Sequence, residues 1–193
     1  VEVVVYLAVT TGMRLGELLG LRWSDVDWER RSVSVRRQLR RQEGGGGLVF
    51  LPVKTAAGSR SVYLGEDGLD ALRGQRARLV ESRRFAGERW VDGDLVFPNS
   101  LGKPWEASRV WGEFRGVLER AGVRRVRFHD LRHTAATLML QGKVPARVVS
   151  ERLGHSGVGI TLDVYSHVME ELQVEAASVI ESAVRPILIE LPG

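Results

Sequence analysis

No cysteine occurs among the 193 residues. That excludes disulfide staples, thiol nucleophiles and cysteine-ligated zinc, and it suits a reducing, cytoplasmic setting. Long apolar runs are missing too. The opening run from Val3 to Val9 is interrupted by Tyr6 and falls far short of the roughly 20 residues a membrane helix needs. It has neither the basic flank nor the small-residue cleavage site of a secretion signal, so no membrane partner is expected. Neither sign of charge dominates: 28 Lys and Arg stand against 24 Asp and Glu, a net charge of +4. The sign favours a polyanionic partner, but an arginine-rich soluble surface explains the same excess, so charge assigns no partner. No internal repeat and no second domain is visible. The first residue is Val1 rather than methionine, and an apolar segment begins at once. We read this as a piece of a longer protein with more chain upstream.

What is present suffices for one globular domain, with 44% hydrophobic residues. Val1 to Thr10 reads as a helix end, broken at Thr11-Gly12-Met13 and resumed from Arg14 to Leu21. Ser24 to Asp27 reads as a turn. The apolar period then becomes two. Val33, Val35 and Leu39, then Val49, Leu51 and Val53, then Val62 and Leu64 mark three strands of a small antiparallel sheet. Gly44 to Gly47 joins the first two. No Gly-Lys-Ser/Thr follows it, so it is not a phosphate cradle. Ala56 to Ser59 turns between the second and third. Helices follow at 69–84, 107–121, 129–141, from Pro145 to Gly154, 161–168 and 170–184. A short extended piece, Leu95 to Pro98, lies among them. On the helix at 129–141, Leu131, Ala135 and Leu138 form the expected apolar stripe. On the last helix, Leu172, Ala176, Val179 and Ala183 are in register. An apolar tail follows Pro186. The fold class is α+β, mainly α, with a small three-stranded antiparallel sheet in the N-terminal third.

All four histidines fall between positions 129 and 167. His129 and Arg132 share a helix face. His155 follows a glycine at a helix end, and Tyr165 comes ten residues later. Arg14 starts a helix, and Lys54 ends a strand beside a turn. A tyrosine hydroxyl has a pKa near 10, so ionising it at neutral pH costs roughly 4 kcal/mol without help. Two guanidiniums and an ammonium supply fixed positive charge and grip the non-bridging oxygens of a phosphodiester. Imidazoles carry protons near neutrality. The set suits phosphoryl transfer without a metal. His129 and His133, four apart, lack a third ligand and the His-Glu-x-x-His pattern of zinc proteases. We therefore read His133 as a packing residue or a support behind the site; His167, two positions past Tyr165 on a helix, points elsewhere and is read as structural. Lys103, in a Gly-Lys-Pro turn, is the rival to Lys54.

Four stretches in order resemble the phage-integrase-type tyrosine recombinases. Thr11-Gly12-Met13-Arg14-Leu15-Gly16-Glu17 through Asp25 resembles the first arginine box. Val53-Lys54-Thr55, with the turn and Val62-Tyr63-Leu64, resembles the hairpin lysine. His129-Asp130-Leu131-Arg132-His133-Thr134 matches the His-x-x-Arg motif. Leu153-Gly154-His155-Ser156, then Thr161 to Val168, matches the closing histidine and nucleophile box. The resemblance implies that Arg14 and Arg132 clamp the scissile phosphate. Tyr165 attacks it to form a 3′-phosphotyrosyl link, and Lys54 protonates the leaving 5′-oxygen. His129 accepts the tyrosine proton, His155 donates to a phosphate oxygen, and Glu17 orients the surrounding groups.

The resemblance also implies that residues 1–193 are a recombinase catalytic domain, lacking the upstream core-binding domain that closes the other half of a clamp on DNA. It implies a cytoplasmic bacterial or phage protein acting as a homo-tetramer on double-stranded DNA, with no cofactor and no metal. The 170–193 segment then either exchanges between subunits or folds back in cis. Arg36 to Arg41 is either a solvated strand edge or a contact to the DNA backbone. Two other functions stay open: a type IB topoisomerase-like relaxing enzyme, and a non-catalytic regulator using helices 129–141 and 145–153 as a helix-turn-helix.

Overall fold

The first apolar segment forms α1 (Glu2–Thr11), which buries Val3, Val4, Leu7 and Ala8 at the spacing of one helix face. It stops at Gly12, whose backbone takes φ 68°. Glycine is required there twice over. A side chain is strained in that conformation, and a Cβ would sit 2.3 Å from the Leu153 side chain. The chain turns at once into α2 (Leu15–Leu19). The structure, a computed structural model, describes residues 1–53, 58–164, 173–174 and 176–184.

Five strands follow among the described residues: β1 (Val26–Asp27), β2 (Ser32–Val35), β3 (Arg37–Arg41), β4 (Leu48–Pro52) and β5 (Arg60–Tyr63). The three-stranded antiparallel sheet is present, in the order β1-β2-β5, with Val33 opposite Val62. Its membership differs from the sequence reading. The first expected strand divides at Arg36. Its first half spends its hydrogen bonds on β5, and its second half pairs with β4 as a separate two-stranded sheet. The edge strand β1 is the segment read as a turn. A one-turn 3-10 helix at Trp23–Asp25 precedes it, capped by Asp25 on the Arg22 N–H at 3.0 Å. The buried Asp25 carboxylate also pairs with Arg37, which ties the second sheet back to the first.

The remaining helices are α3 (Glu66–Ala86), α4 (Ala107–Arg120), α5 (Asp130–Gln141), α6 (Ala146–Leu153) and α7 (Val158–Val164). One core joins α1, α2, the three-stranded sheet, α3 and α4 around Leu7, Leu18, Val33, Val62, Leu69, Leu72 and Phe114. A second, smaller core lies between α5 and α6 and is built from Ala136, Leu140, Val149 and Leu153. Burying a valine or leucine contributes roughly 1.5–3 kcal/mol. That offsets the cost of ordering α6, which is too short to hold as an isolated helix.

The expected α5 stripe is shifted. Ala135 is buried as expected, but Leu138 is 55% exposed, and Arg132, Ala136 and Leu140 join Ala135 on the buried side. The cause is that α5 packs on both α1 and α6, so its inner face is turned towards Arg132. At the C-terminal end, residues 173–174 and 176–184 are helical, and Ala176, Val179 and Ala183 are exposed. Leu172 and the tail after Pro186 lie outside the described residues, as does Pro186 itself. No helix among the described residues is long and apolar enough to cross a membrane.

Candidate active site

Two helix C-termini meet at Arg132. Its side chain is 4% exposed. It donates to the carbonyl of Gly12, the cap of α1, at 2.6 Å, and to that of Leu153, the last residue of α6, at 2.7 Å. The last carbonyls of a helix lack intrahelical donors and carry the negative end of its dipole, so a guanidinium is well placed there. Arg152 works on the same junction, donating to the carbonyls of Thr10 at 3.0 Å and Tyr63 at 2.9 Å. The α1 end that positions Gly12 also launches Arg14, the N-cap of α2. Arg14 remains 42% exposed, with one guanidinium nitrogen 2.9 Å from Glu17 Oε1.

Glu17 holds this corner together. Its side chain is 3% exposed. One oxygen accepts the Arg14 backbone N–H at 3.0 Å, and the other accepts the Arg14 guanidinium. Both oxygens also take hydrogen bonds from Arg60, at 2.9 and 3.3 Å. Burial pushes the Glu17 carboxyl up, but the bonds and charge of Arg60, then those of Arg14, outweigh it. Its pKa lies below the ordinary value, and the group is ionised.

The imidazoles sit in the field of these cations. His155 follows Gly154, the left-handed cap of α6, and its Nδ1 lies 2.9 Å from the hydroxyl of the buried Thr161 on α7. Burial, then the charges of Arg132, Arg14 and Arg60, lower its pKa to about 4. His129 is lowered as well, by burial first and then by His133, Arg132 and Arg14. Both rings are therefore neutral at pH 7, able to accept a proton at one nitrogen and donate at the other. Residues 118 positions apart in the chain, Arg14 and Arg132, thus act on the same two imidazoles.

The model of the phage integrase family matches residues 2–171. The chain belongs to this family. It is 34% identical to a XerC-like tyrosine recombinase of Caldanaerobacter subterraneus subsp. tengcongensis, over 88% of this chain and 46% of that protein. It is 39% identical to an integrase of Saccharopolyspora erythraea, over 70% of this chain and 31% of the relative. The chain thus spans half or less of the length of these relatives. Among solved structures it resembles the Tn1549 transposon integrase in complex with a circular intermediate DNA. There the TM-score is 0.73 at 25% identity, covering 92% of this chain and 57% of that one. It also resembles the XerH site-specific recombinase bound to palindromic difH substrate, with TM-score 0.64 and 27% identity over 93% of this chain and 45% of that one.

Of the phage-integrase residues expected from sequence, Arg14, Glu17, His129, Arg132 and His155 are brought to one corner by the ends of α1, α5 and α6. Lys54, Tyr165 and His167 lie outside the described residues. The described part of α7 carries Thr161 against His155. Lys103 sits in the turn after Asn99: its carbonyl accepts the Asn99 N–H, and its own N–H donates to Asn99 Oδ1. His133 packs edge-on against His129, with ring centroids 5.1 Å apart. No group of three or more metal-ligating side chains occurs among the described residues.

Sequence reasoning missed Arg60, Arg152 and Thr161. Arg60 had a signal: on a strand of period two it is in phase with Val62 and Leu64, on the face that goes inward. A charged residue in that phase is buried only when paired. Arg152 gave no such signal because its partners are backbone carbonyls distant in sequence, and Thr161 gave none because a threonine six residues from a histidine is common in any helix-turn-helix connection.

Proposed function

We propose that this chain is the catalytic domain of a site-specific DNA recombinase that cuts and rejoins strands through Tyr165. The observation that carries the reading is the gathering of Arg14 and Arg132 around two neutral imidazoles at the joined ends of α1, α5 and α6. A regulator that only bound DNA would have use for Arg132 as a buried fold contact, but none for imidazoles kept neutral beside two guanidiniums.

The chemistry runs as a transfer of one phosphodiester into another. The Tyr165 oxygen attacks the phosphorus, and its proton passes to neutral His129. Charge gathers on the non-bridging oxygens, where Arg14 and Arg132 stabilise it. The bond to the 5′-oxygen breaks, and that oxygen takes a proton from Lys54, leaving a 3′-phosphotyrosyl link and a free 5′-hydroxyl. Attack by a 5′-hydroxyl of a partner duplex reverses each step and restores the tyrosine. The bond energy is conserved, so no nucleotide cofactor enters. His155 donates to a phosphate oxygen through Nε2–H when Thr161 donates its hydroxyl proton to Nδ1.

Double-stranded DNA is the partner, acted on in the cytoplasm by a homo-tetramer. The solved relatives bound to circular intermediate DNA and to difH support DNA as the substrate. The exposed Val174, Val179 and Ile180 near the C-terminus support an exchange of this segment between subunits.

The test is covalent capture. A pool of nicked suicide duplexes of randomised sequence, including DNA flanking the gene, is incubated with the full protein and washed under denaturing conditions. Wild type retains DNA, and Tyr165→Phe retains none while binding the recovered duplex almost as tightly. Salt-sensitive binding without an adduct would indicate a regulator. Relaxation of a supercoiled plasmid lacking paired sites would indicate a topoisomerase.

A further inference from the structure

We infer that Arg60 is a positioning residue for strand cleavage, setting Arg14 through Glu17 and the end of α6 through the carbonyl of Arg152. The inference rests on the recombinase reading of the site. Arg60 stands on β5, paired opposite Val35 of the central strand β2, so its backbone is fixed by the sheet. Its side chain is 7% exposed. The guanidinium makes two bonds to Glu17, at 2.9 and 3.3 Å, one from Nε to the Arg152 carbonyl at 2.7 Å, and one to the Gly58 carbonyl at 3.1 Å.

These partners reach both arms of the clamp. Glu17 holds the Arg14 guanidinium and caps its helix. Arg152 directly precedes Leu153, whose carbonyl holds Arg132, and His155 follows two positions after Leu153. Without Arg60, the buried Glu17 carboxylate would keep Arg14 as its counter-charge, and the guanidinium needed at the phosphate would be drawn towards it. Lysine cannot replace the planar fork, because its three donors diverge from one nitrogen. A merely structural ion pair would need only the charge.

The experiment uses the full protein and a nicked duplex recovered by covalent capture. In Arg60→Met the single-turnover cleavage rate at saturating DNA falls about 10- to 100-fold, while Kd for the same duplex changes less than about threefold. Arg60→Lys recovers only part of the rate, and it carries the test if Arg60→Met does not fold. Because part of the Arg60 effect passes through the Glu17 carboxylate, Glu17→Gln combined with Arg60→Met slows cleavage by clearly less than the product of the two single losses. Losses that multiply in the double variant, or an Arg60→Met rate within about twofold of wild type, overturn the inference. If wild type forms no adduct, the recombinase reading fails by itself. Nitrogen-15 relaxation of the Arg14 Nε–H then decides the positioning claim. Its order parameter drops below about 0.6 in Arg60→Met if Arg60 sets it, and unchanged order overturns the claim.

Discussion

Replacing Arg132 with alanine separates what the buried guanidinium does for the fold from what it does for the reaction. In the fold it satisfies the Gly12 and Leu153 carbonyls at 2.6 and 2.7 Å. Leaving a buried acceptor without its donor costs about 1–3 kcal/mol each. Part of this is recovered because a desolvated cation disappears. The expected net loss is about 1–4 kcal/mol, and a domain of this size loses roughly 2–4 °C of Tm per kcal/mol. In the reaction, one donor to the developing phosphate charge is lost. By the cost of removing an oxyanion donor, cleavage should slow at least about 100-fold, equivalent to roughly 2.7 kcal/mol of barrier. Cleavage is followed by single-turnover adduct formation on a nicked duplex, well below the variant's own Tm, so that unfolded protein does not count as slow chemistry. Arg132→Lys keeps the charge but cannot bridge both carbonyls and still face the phosphate, so it also slows by more than about tenfold. A folded Arg132→Ala that cleaves within twofold of wild type would refute the clamp.

Gly12→Ala places a methyl group 2.3 Å from Leu153 in a left-handed backbone. It should cost about 3 kcal/mol, read as a Tm lower by roughly 6–12 °C; a change under about 1 °C would contradict the close approach of α1 and α6. His155 has its folded pKa lowered to about 4, against about 6.5 unfolded. Its contribution to stability is therefore complete above about 6.5 and is lost as pH falls towards 4. Urea midpoints between pH 7 and 5, above the range where Glu17 titrates, should decline in wild type and flatten in His155→Gln; parallel curves would show that the histidine is not desolvated. Thr161→Val removes the partner that selects the His155 tautomer. Cleavage should slow by about five- to tenfold, the worth of one hydrogen bond, with Kd for the duplex unchanged. An unaltered rate would remove His155 Nε2 from the list of phosphate donors.

Arg14, His129 and Arg132, which the structure brings to one corner, could be singled out because their neighbours in sequence mark them. Arg14 sits in a glycine-bounded helix start, and His129 and Arg132 share one helical turn. The helices were legible from period and caps, as at Pro145 and Gly154, where α6 begins and ends. Pairing partners were not. Nothing local states that β2 bonds to β5 across a hairpin of its own chain, or that Ser24 to Asp27 ends in an edge strand. The α5 stripe was only partly placed for a similar reason. A period can show which residues align, but it gives no sign that an arginine shares the buried side. Two helix ends supply the carbonyls that bury it, and they come from distant parts of the chain. Arg60 stayed hidden because a charged side chain on an inward phase becomes intelligible only once its partner Glu17 is in place.

The most direct measurement is peptide mapping of the covalent protein–DNA adduct by mass spectrometry. The chain contains three tyrosines, and two of them, Tyr6 and Tyr63, are exposed. The account predicts that the 3′-phosphate is linked to Tyr165 alone. A link to Tyr6 or Tyr63, or an adduct that persists in Tyr165→Phe, would contradict it.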